Sequence, residues 1–269
     1  MRLFLHALEF FTRIRQPQAV LAWRGFSPDA LAQCLVHLPG VGWVIGLLCA
    51  LLWLALVANL PAVDGGYWVA AILSTAWGLW LTGALHEDGL ADLTDGLGGS
   101  MQRERALDIM KDSRVGAYGV AAMCLALLLK CALLVSMAQI DPWLTALALV
   151  AGHVHSRFFA LLMAFALPHV GDAAQSKSRG VSAHVGLPVV AVASLWCGLF
   201  WVVCFTTGWP DEWVLGLMGA VVAAGMGWLW MRHLLWARLQ GFTGDALGAV
   251  QQVCELLGYL GVLVTLGLL

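Results

Sequence analysis

The stretch "GYWVAAILSTAWGLWLTGALHEDGLADLTDG", residues 66–96, runs from one solvent preference into the opposite one. Residues 66–85 carry no charge. They are long enough for a membrane-crossing helix, which needs about 20 mostly apolar residues. Residues 86–96 then gather Glu87, Asp88, Asp92 and Asp95. The rest of the chain repeats the first half of this stretch far more often than the second. Of 269 residues, 61% are hydrophobic and 11% charged, against about 45–50% and about 25% in soluble domains. The fold class expected is all-α: a polytopic integral membrane protein of a single domain, residues 1–269.

Seven apolar windows are long enough to span: 41–60, 66–85, 115–138, 143–167, 185–207, 214–231 and 246–269. The cations test the count. Arg2, Arg13, Arg15 and Arg24 precede the first window, and Arg103, Arg105, Lys111 and Arg114 follow the second. Lys177 and Arg179 follow the fourth, and Arg232 and Arg238 the sixth. The alternate connections carry no Lys or Arg, so the positive-inside rule puts the N-terminus in the cytoplasm and the C-terminus outside. The expected location is the inner (cytoplasmic) membrane, with the lipid bilayer as a partner. Trp68, Trp143, Trp209 and Trp213 would form an outer aromatic belt. "GWVIG" at 42–46 is a GxxxG and predicts close helix packing.

The N-terminus does not read as a signal peptide, because Glu9, Arg13 and Arg15 interrupt any apolar core. Within residues 1–30, Leu3, Ala7, Phe10, Phe11 and Ile14 share one helical face, and Arg2, His6, Glu9 and Arg13 the other. This predicts an interfacial amphipathic helix. The seven cysteines lie in apolar runs without a CxxC and read as small core hydrophobes. A net charge of −2 says nothing about nucleic acid, and none is expected as a partner.

The acidic stretch needs its own explanation. If the second span continues as a helix, Asp92 lies roughly 40° from Asp88, and Asp95 roughly 20° to the other side. Glu87 points well away from this stripe. Like charges on one face repel, and no Lys or Arg interleaves before Arg103. An all-oxygen carboxylate set of this kind favours Mg²⁺, Mn²⁺ or Ca²⁺ over zinc. "RERALDIMKDSR" then places Asp108 and Asp112 one turn apart on a short helix, among Arg103, Arg105, Lys111 and Arg114. Salt bridges such as Arg105 with Asp108 are one account. The other is a site for phosphate and metal together, since Mg²⁺ combines one or two carboxylates with substrate phosphates. Residues 86–114 are therefore the candidate catalytic loop for phosphoryl transfer, in which two metal ions could clamp the displacement.

Other polar groups interrupt the apolar windows. Arg157, with His153 and His155 before it, lies near mid-membrane, where ionisable groups are functional candidates by default. Its partner is either Glu255, as a structural pair, or substrate phosphate. Thr243 and Asp245 in "QGFTGDALGA" either cap the last helix or belong to an anion-holding turn. Lys130 is expected to snorkel to the outer interface.

At this point the residues resemble a family. "HEDGLADLTDG", "IMKDSRVGAYG" and "GFTGDALGA" are similar to signature segments of the cobalamin-5′-phosphate synthase (adenosylcobinamide-GDP ribazoletransferase) family. "FFTRI", "LPGVGWVIG" and the Ser156–Arg157 pair resemble it too, in the same order along the chain. The resemblance implies a membrane enzyme late in cobalamin (vitamin B12) biosynthesis. Such an enzyme joins adenosylcobinamide-GDP to α-ribazole or its 5′-phosphate and releases GMP with Mg²⁺. It carries over His86, Asp88, Asp92 and Asp95 as a first motif, and Asp108, Lys111, Asp112, Ser113 and Arg114 as a second. Glu87 stands where the family pattern has an apolar residue, and "TRIRQP" lacks the family's Pro-Val-Pro ending.

The expected assignment has Asp88, Asp92, Asp95, Asp108 and Asp112 holding two Mg²⁺ ions. Asp112 or His86 is the base, and Lys111 and Arg114 stabilise the pyrophosphate. Arg103, Arg105, Ser113, Arg157, Thr243 and Asp245 bind substrate. Homo-oligomerisation is left open. A CDP-alcohol phosphotransferase is the nearest rival, but "LGGSMQR" after Gly96 lacks its D-G-x-x-A-R spacing. A cation transporter is the other, disfavoured because transporter sites lie near the bilayer midplane.

Overall fold

The computed structural model describes residues 1–25, 33–170 and 185–269. Lys177, Arg179 and residues 26–30 of the N-terminal segment lie outside the described residues. The described chain is helical throughout. Helices α1 (Arg2–Phe11) and α2 (Gln18–Arg24) precede α3 (Leu38–Asn59), α4 (Asp64–Thr82), α5 (Leu85–Gly99) and α6 (Arg103–Met110). Then come α7 (Ala117–Ile140), α8 (Pro142–Ala166), α9 (Leu187–Thr206), α10 (Asp211–Leu239) and α11 (Gly244–Leu266).

Six of these helices are long and apolar enough to cross a membrane, and α4 with α5 makes a seventh if that bent pair counts as one span. The seven expected windows each find their helix, with ends moved by a few residues except in the sixth, where α10 runs on to Leu239. The second does not run straight into the acidic stretch. The chain turns by 87° between α4 and α5. Gly83 and Ala84 both take left-handed backbone, at φ 68° and 59°, and a right-handed helix cannot pass through them. Their amides turn back to the carbonyls of Trp80 and Leu79, closing the end of α4.

Helices α8 and α11 form the centre. They bury 78% and 67% of their membrane windows, whereas α9 buries 22%. The reason is in their side chains. His153, His155, Ser156 and Arg157 on α8, and Gln251, Gln252 and Glu255 on α11, are buried. Lipid offers such groups no hydrogen bonds, so the helices that carry them are placed inside the bundle. The GxxxG of α3 packs as expected. A Cβ at Gly42 would come within 2.3 Å of the His153 carbonyl oxygen, and one at Gly46 within 2.9 Å of Val150 Cα. Backbone contact of this kind fixes His153 against α3.

The two ends of the bundle differ. At one end Trp209 stacks on Trp213 at 5.7 Å and lies 6.3 Å from Trp143. At the other, Arg238 Nη2 donates to the carbonyls of Leu97 and Ser100, and Arg103 Nε donates to Leu239 O at 2.7 Å. Each arginine thereby satisfies open carbonyls at the end of the other's neighbouring helix. Helix α1 exists as expected, but its buried line runs through Ala7 and Phe11, and Phe10 is exposed. The seven cysteines, all among the described residues, form no disulfide with one another, and Cys124 is the exposed one.

Candidate active site

The bend makes α5 a separate body that must be held by contacts. At its first turn, Gly89 lies against α11, where a Cβ would meet Asp245 O at 2.5 Å. Gly248 on α11 in turn sits against the His86 backbone, with 3.2 Å available for a Cβ. The two backbones therefore touch, and Asp245 comes up beside Asp88 and Asp92. Asp92 feels the like charge of Asp88 most, then Asp245, then Asp95. Asp245 likewise feels Asp88. Asp88 is exposed, and Asp92 and Asp245 are half-buried. Among the described residues, none of the three is in an ion pair.

Asp95 is differently placed. It is buried, and its oxygens accept from the amides of Gly116 at 2.6 Å and Gly119 at 2.9 Å. It thus ties α5 to the first turn of α7, whose amides have no helical partner of their own. Thr243 is structural as well, since its Oγ1 accepts from Ala246 N at 3.2 Å and caps α11. The turn before it is pinned by Val170 N to Phe242 O and Phe242 N to Pro168 O, both 2.9 Å.

The second motif packs beside the first, with Ala106 and Met110 of α6 against Gly96. It does not hold Asp108 and Asp112 on one helical face. Helix α6 ends at Met110, Lys111 caps it, and Asp112 lies in the following turn. Asp108, Arg105, Lys111, Ser113 and Arg114 are exposed at the rim. Asp112 accepts from Arg114 N at 3.1 Å, Nε at 3.0 Å and Nη2 at 2.6 Å. Those hydrogen bonds push its carboxyl down to about 2. Of the cations expected at the site, Arg103 is instead bonded to α10 and to Glu104 at 3.5 Å. The ion pairs of the described residues do not include Arg105 with Asp108.

Beneath the acidic turn lies a second polar set, in the centre of the bundle. Lys130 does not snorkel. It is buried, with Nζ 2.6 Å from Glu255 Oε1. Glu255 also accepts from Gln251 at 2.6 Å and from Tyr259 at 2.8 Å. Lys130 thus takes the place expected of Arg157. Arg157 Nη1 instead donates to the backbone oxygen of His153 and to its Nδ1, both at 3.0 Å. A guanidinium cannot accept a hydrogen bond, so His153 carries its proton on Nε2. His86 and Glu87 face this set from α5, where His86 Nε2, His153 Nε2, Glu87 Oε2 and Arg157 Nε are buried without a hydrogen-bond partner.

Sequence reading missed two features, the membership of Asp245 in the acidic set and the Lys130–Glu255 pair. The small residues Gly244, Ala246, Gly248 and Ala249 were the available signal for the first, since they announce a close helix approach. Nothing local announced the second.

As a donor set, Asp88, Asp92 and Asp245 suit a hard divalent cation: oxygen only, like-charged, and unpaired by cations among the described residues. Among the described residues, no three His, Cys, Asp or Glu side chains already converge on a point that could hold an ion.

The family model for cobalamin-5-phosphate synthase matches residues 3–263. An adenosylcobinamide-GDP ribazoletransferase of Albidiferax ferrireducens is 46% identical, over 98% of both chains. Proteins of the same name from Polaromonas sp. JS666 and Leptothrix cholodnii are 45% and 41% identical. They align over 98% and 97% of this chain and over 97% and 94% of their own. No solved structure matches. The chain belongs to the cobalamin-5-phosphate synthase family.

Proposed function

We propose that this membrane protein is a transferase of cobalamin biosynthesis. It would join adenosylcobinamide-GDP to α-ribazole or α-ribazole 5′-phosphate and release GMP. The observation that carries the reading is the approach of α5 to α11. It brings Asp245 within electrostatic reach of Asp88 and Asp92, and no ion pair among the described residues neutralises them. Such a set invites a bound cation together with the phosphates that accompany it.

In the reaction, the ribazole hydroxyl oxygen forms a bond to the cobinamide-linked phosphorus. The bond from that phosphorus to the GMP oxygen breaks, and the hydroxyl proton passes to a base. Asp88, Asp92 and Asp245 would hold Mg²⁺, which when bound neutralises charge on the diphosphate. Asp95 contributes by fixing α5 to α7. The exposed Lys111, Arg114 and Arg105 at the rim would attract the diphosphate and the departing GMP. Asp112, held by Arg114 at about 2, is a weak proton acceptor. We therefore assign the proton to His86, whose Nε2 has no hydrogen-bond partner among the described residues.

We place the acidic end of the bundle at the cytoplasmic face of the inner membrane, in keeping with the Lys/Arg distribution. Cysteines introduced at residues 61–66 should then label from outside. The decisive experiment is Mg²⁺-dependent GMP release by purified protein given adenosylcobinamide-GDP and α-ribazole 5′-phosphate. Release of CMP from a CDP-alcohol donor instead would transfer the reading to phospholipid synthesis, and no nucleotide release from either donor would end it.

A further inference from the structure

Glu87, like Asp95, is a carboxylate of the acidic stretch that turns away from water. It sits between His86 and Asp88 on α5, yet is only 6% exposed. Its Oε1 accepts from Gln252 Nε2 at 3.0 Å. The same nitrogen donates to Gln251 Oε1 at 2.9 Å, and Gln251 Nε2 donates to Glu255 Oε2 at 2.6 Å. Glu255 is the carboxylate that Lys130 pairs with. A chain of side chains thus runs from the first turn of α5 through α11 to α7.

Lys130 pairs with Glu255 in this interior set. A buried carboxyl is costly unless it is hydrogen-bonded, and for Glu87 that bond comes from Gln252. Its position also matters. The 87° bend frees α5 from the direction of α4. The Gln252 contact falls in the turn where Gly89 and Gly248 bring α5 and α11 into backbone contact.

We propose that Glu87 is a positioning residue: its hydrogen bond to Gln252 clamps the first turn of α5 to α11 and so sets where Asp88 and Asp92 stand relative to Asp245. The proposal rests on reading those three aspartates as the metal-holding set.

Two measurements on purified protein test it: amide hydrogen exchange without metal, and Mn²⁺ affinity from the spectrum of free Mn²⁺. Gln252→Met removes the donor and keeps the side-chain length. It should speed exchange of the α5 amides about tenfold, leaving those of α8 unchanged. It should also weaken Mn²⁺ binding about tenfold, as loss of a supporting contact does at metal sites. Glu87→Gln still offers Gln252 an acceptor oxygen and should keep slow exchange. Asp92→Asn should lose Mn²⁺ with α5 exchange unaltered. If Gln252→Met does not fold, the same change in a Glu87→Gln background leaves Glu87's charge out of the question.

Unchanged α5 exchange in the Gln252 variants overturns the clamp, whatever the metal does. Faster exchange with full Mn²⁺ affinity overturns the positioning role. Failure of the unaltered protein to bind Mn²⁺ would instead sink the metal-holding reading, and α5 exchange would still decide the clamp.

Discussion

Two groups of charges lie within a few helical turns of each other and are built in opposite ways. At the mouth of the bundle, Asp88, Asp92 and Asp245 repel one another and pair with no protein cation among the described residues. In the centre, Lys130 is paired with Glu255, which also accepts two hydrogen bonds, and Arg157 and Glu87 are hydrogen-bonded to His153 and Gln252. The difference follows from the solvent. At the mouth, water screens the repulsion until a ligand replaces it. Inside, an uncompensated charge costs several kcal/mol, so what remains there is matched. On the function we propose, the unmatched charge takes the ligand, and the matched charge is architecture.

The comparison would break first at the mouth. Asp88→Ala, Asp92→Ala and Asp245→Ala should each lower turnover at least ~100-fold. Melting temperature should hold or rise, because each removes a repulsion. An active Asp245→Ala protein would take that residue out of the set.

Next comes the centre. Lys130→Met or Glu255→Leu alone should destabilise by about 3–5 kcal/mol, and the double variant should recover much of that loss. Thermal unfolding of the four proteins measures the coupling. The equivalent cycle of Arg157→Met with Glu255→Leu should show a smaller coupling, since Glu255 is paired with Lys130 and Arg157 is bonded to His153. Equal couplings would mean that the interior charges act as one undivided cluster.

The smallest effect is at the rim. The folded pKa of Asp112 is depressed, so its contact with Arg114 is complete above the ordinary carboxylate range. The contact is lost only as pH falls through about 2. Asp112→Asn should leave the acid limb of a pH–rate profile between pH 4 and 7 where it is. A shifted limb would return Asp112 to the role of base. His86→Ala, by contrast, should lower the rate across the whole profile, as removal of a general base does.

Much of this was legible in order along the chain. Membrane crossing needs only a run of apolar residues of fixed length, so the seven windows could be read locally. Helical register is local too, and Asp88 and Asp92 do stand together while Glu87 points elsewhere. GxxxG announced the α3–α8 contact because only small residues let backbones touch. The bend at Gly83 and Ala84 was not legible, although glycine was present. Whether a Gly-Ala pair leaves the helix depends on the contacts that α5 finds beyond it.

The sequence by itself determined the membrane class, the apolar windows, the two motifs and the family, because each depends on neighbours in the chain. Only the tertiary structure decided which charge meets which. It brought Asp245 to Asp88 and Asp92, gave Lys130 rather than Arg157 to Glu255, and turned Asp95 into a tie between α5 and α7. Those pairings join residues remote in sequence. They were settled by the physical demand that every charge carried into the apolar interior find its counter-charge or hydrogen bond there, a demand that no local pattern records.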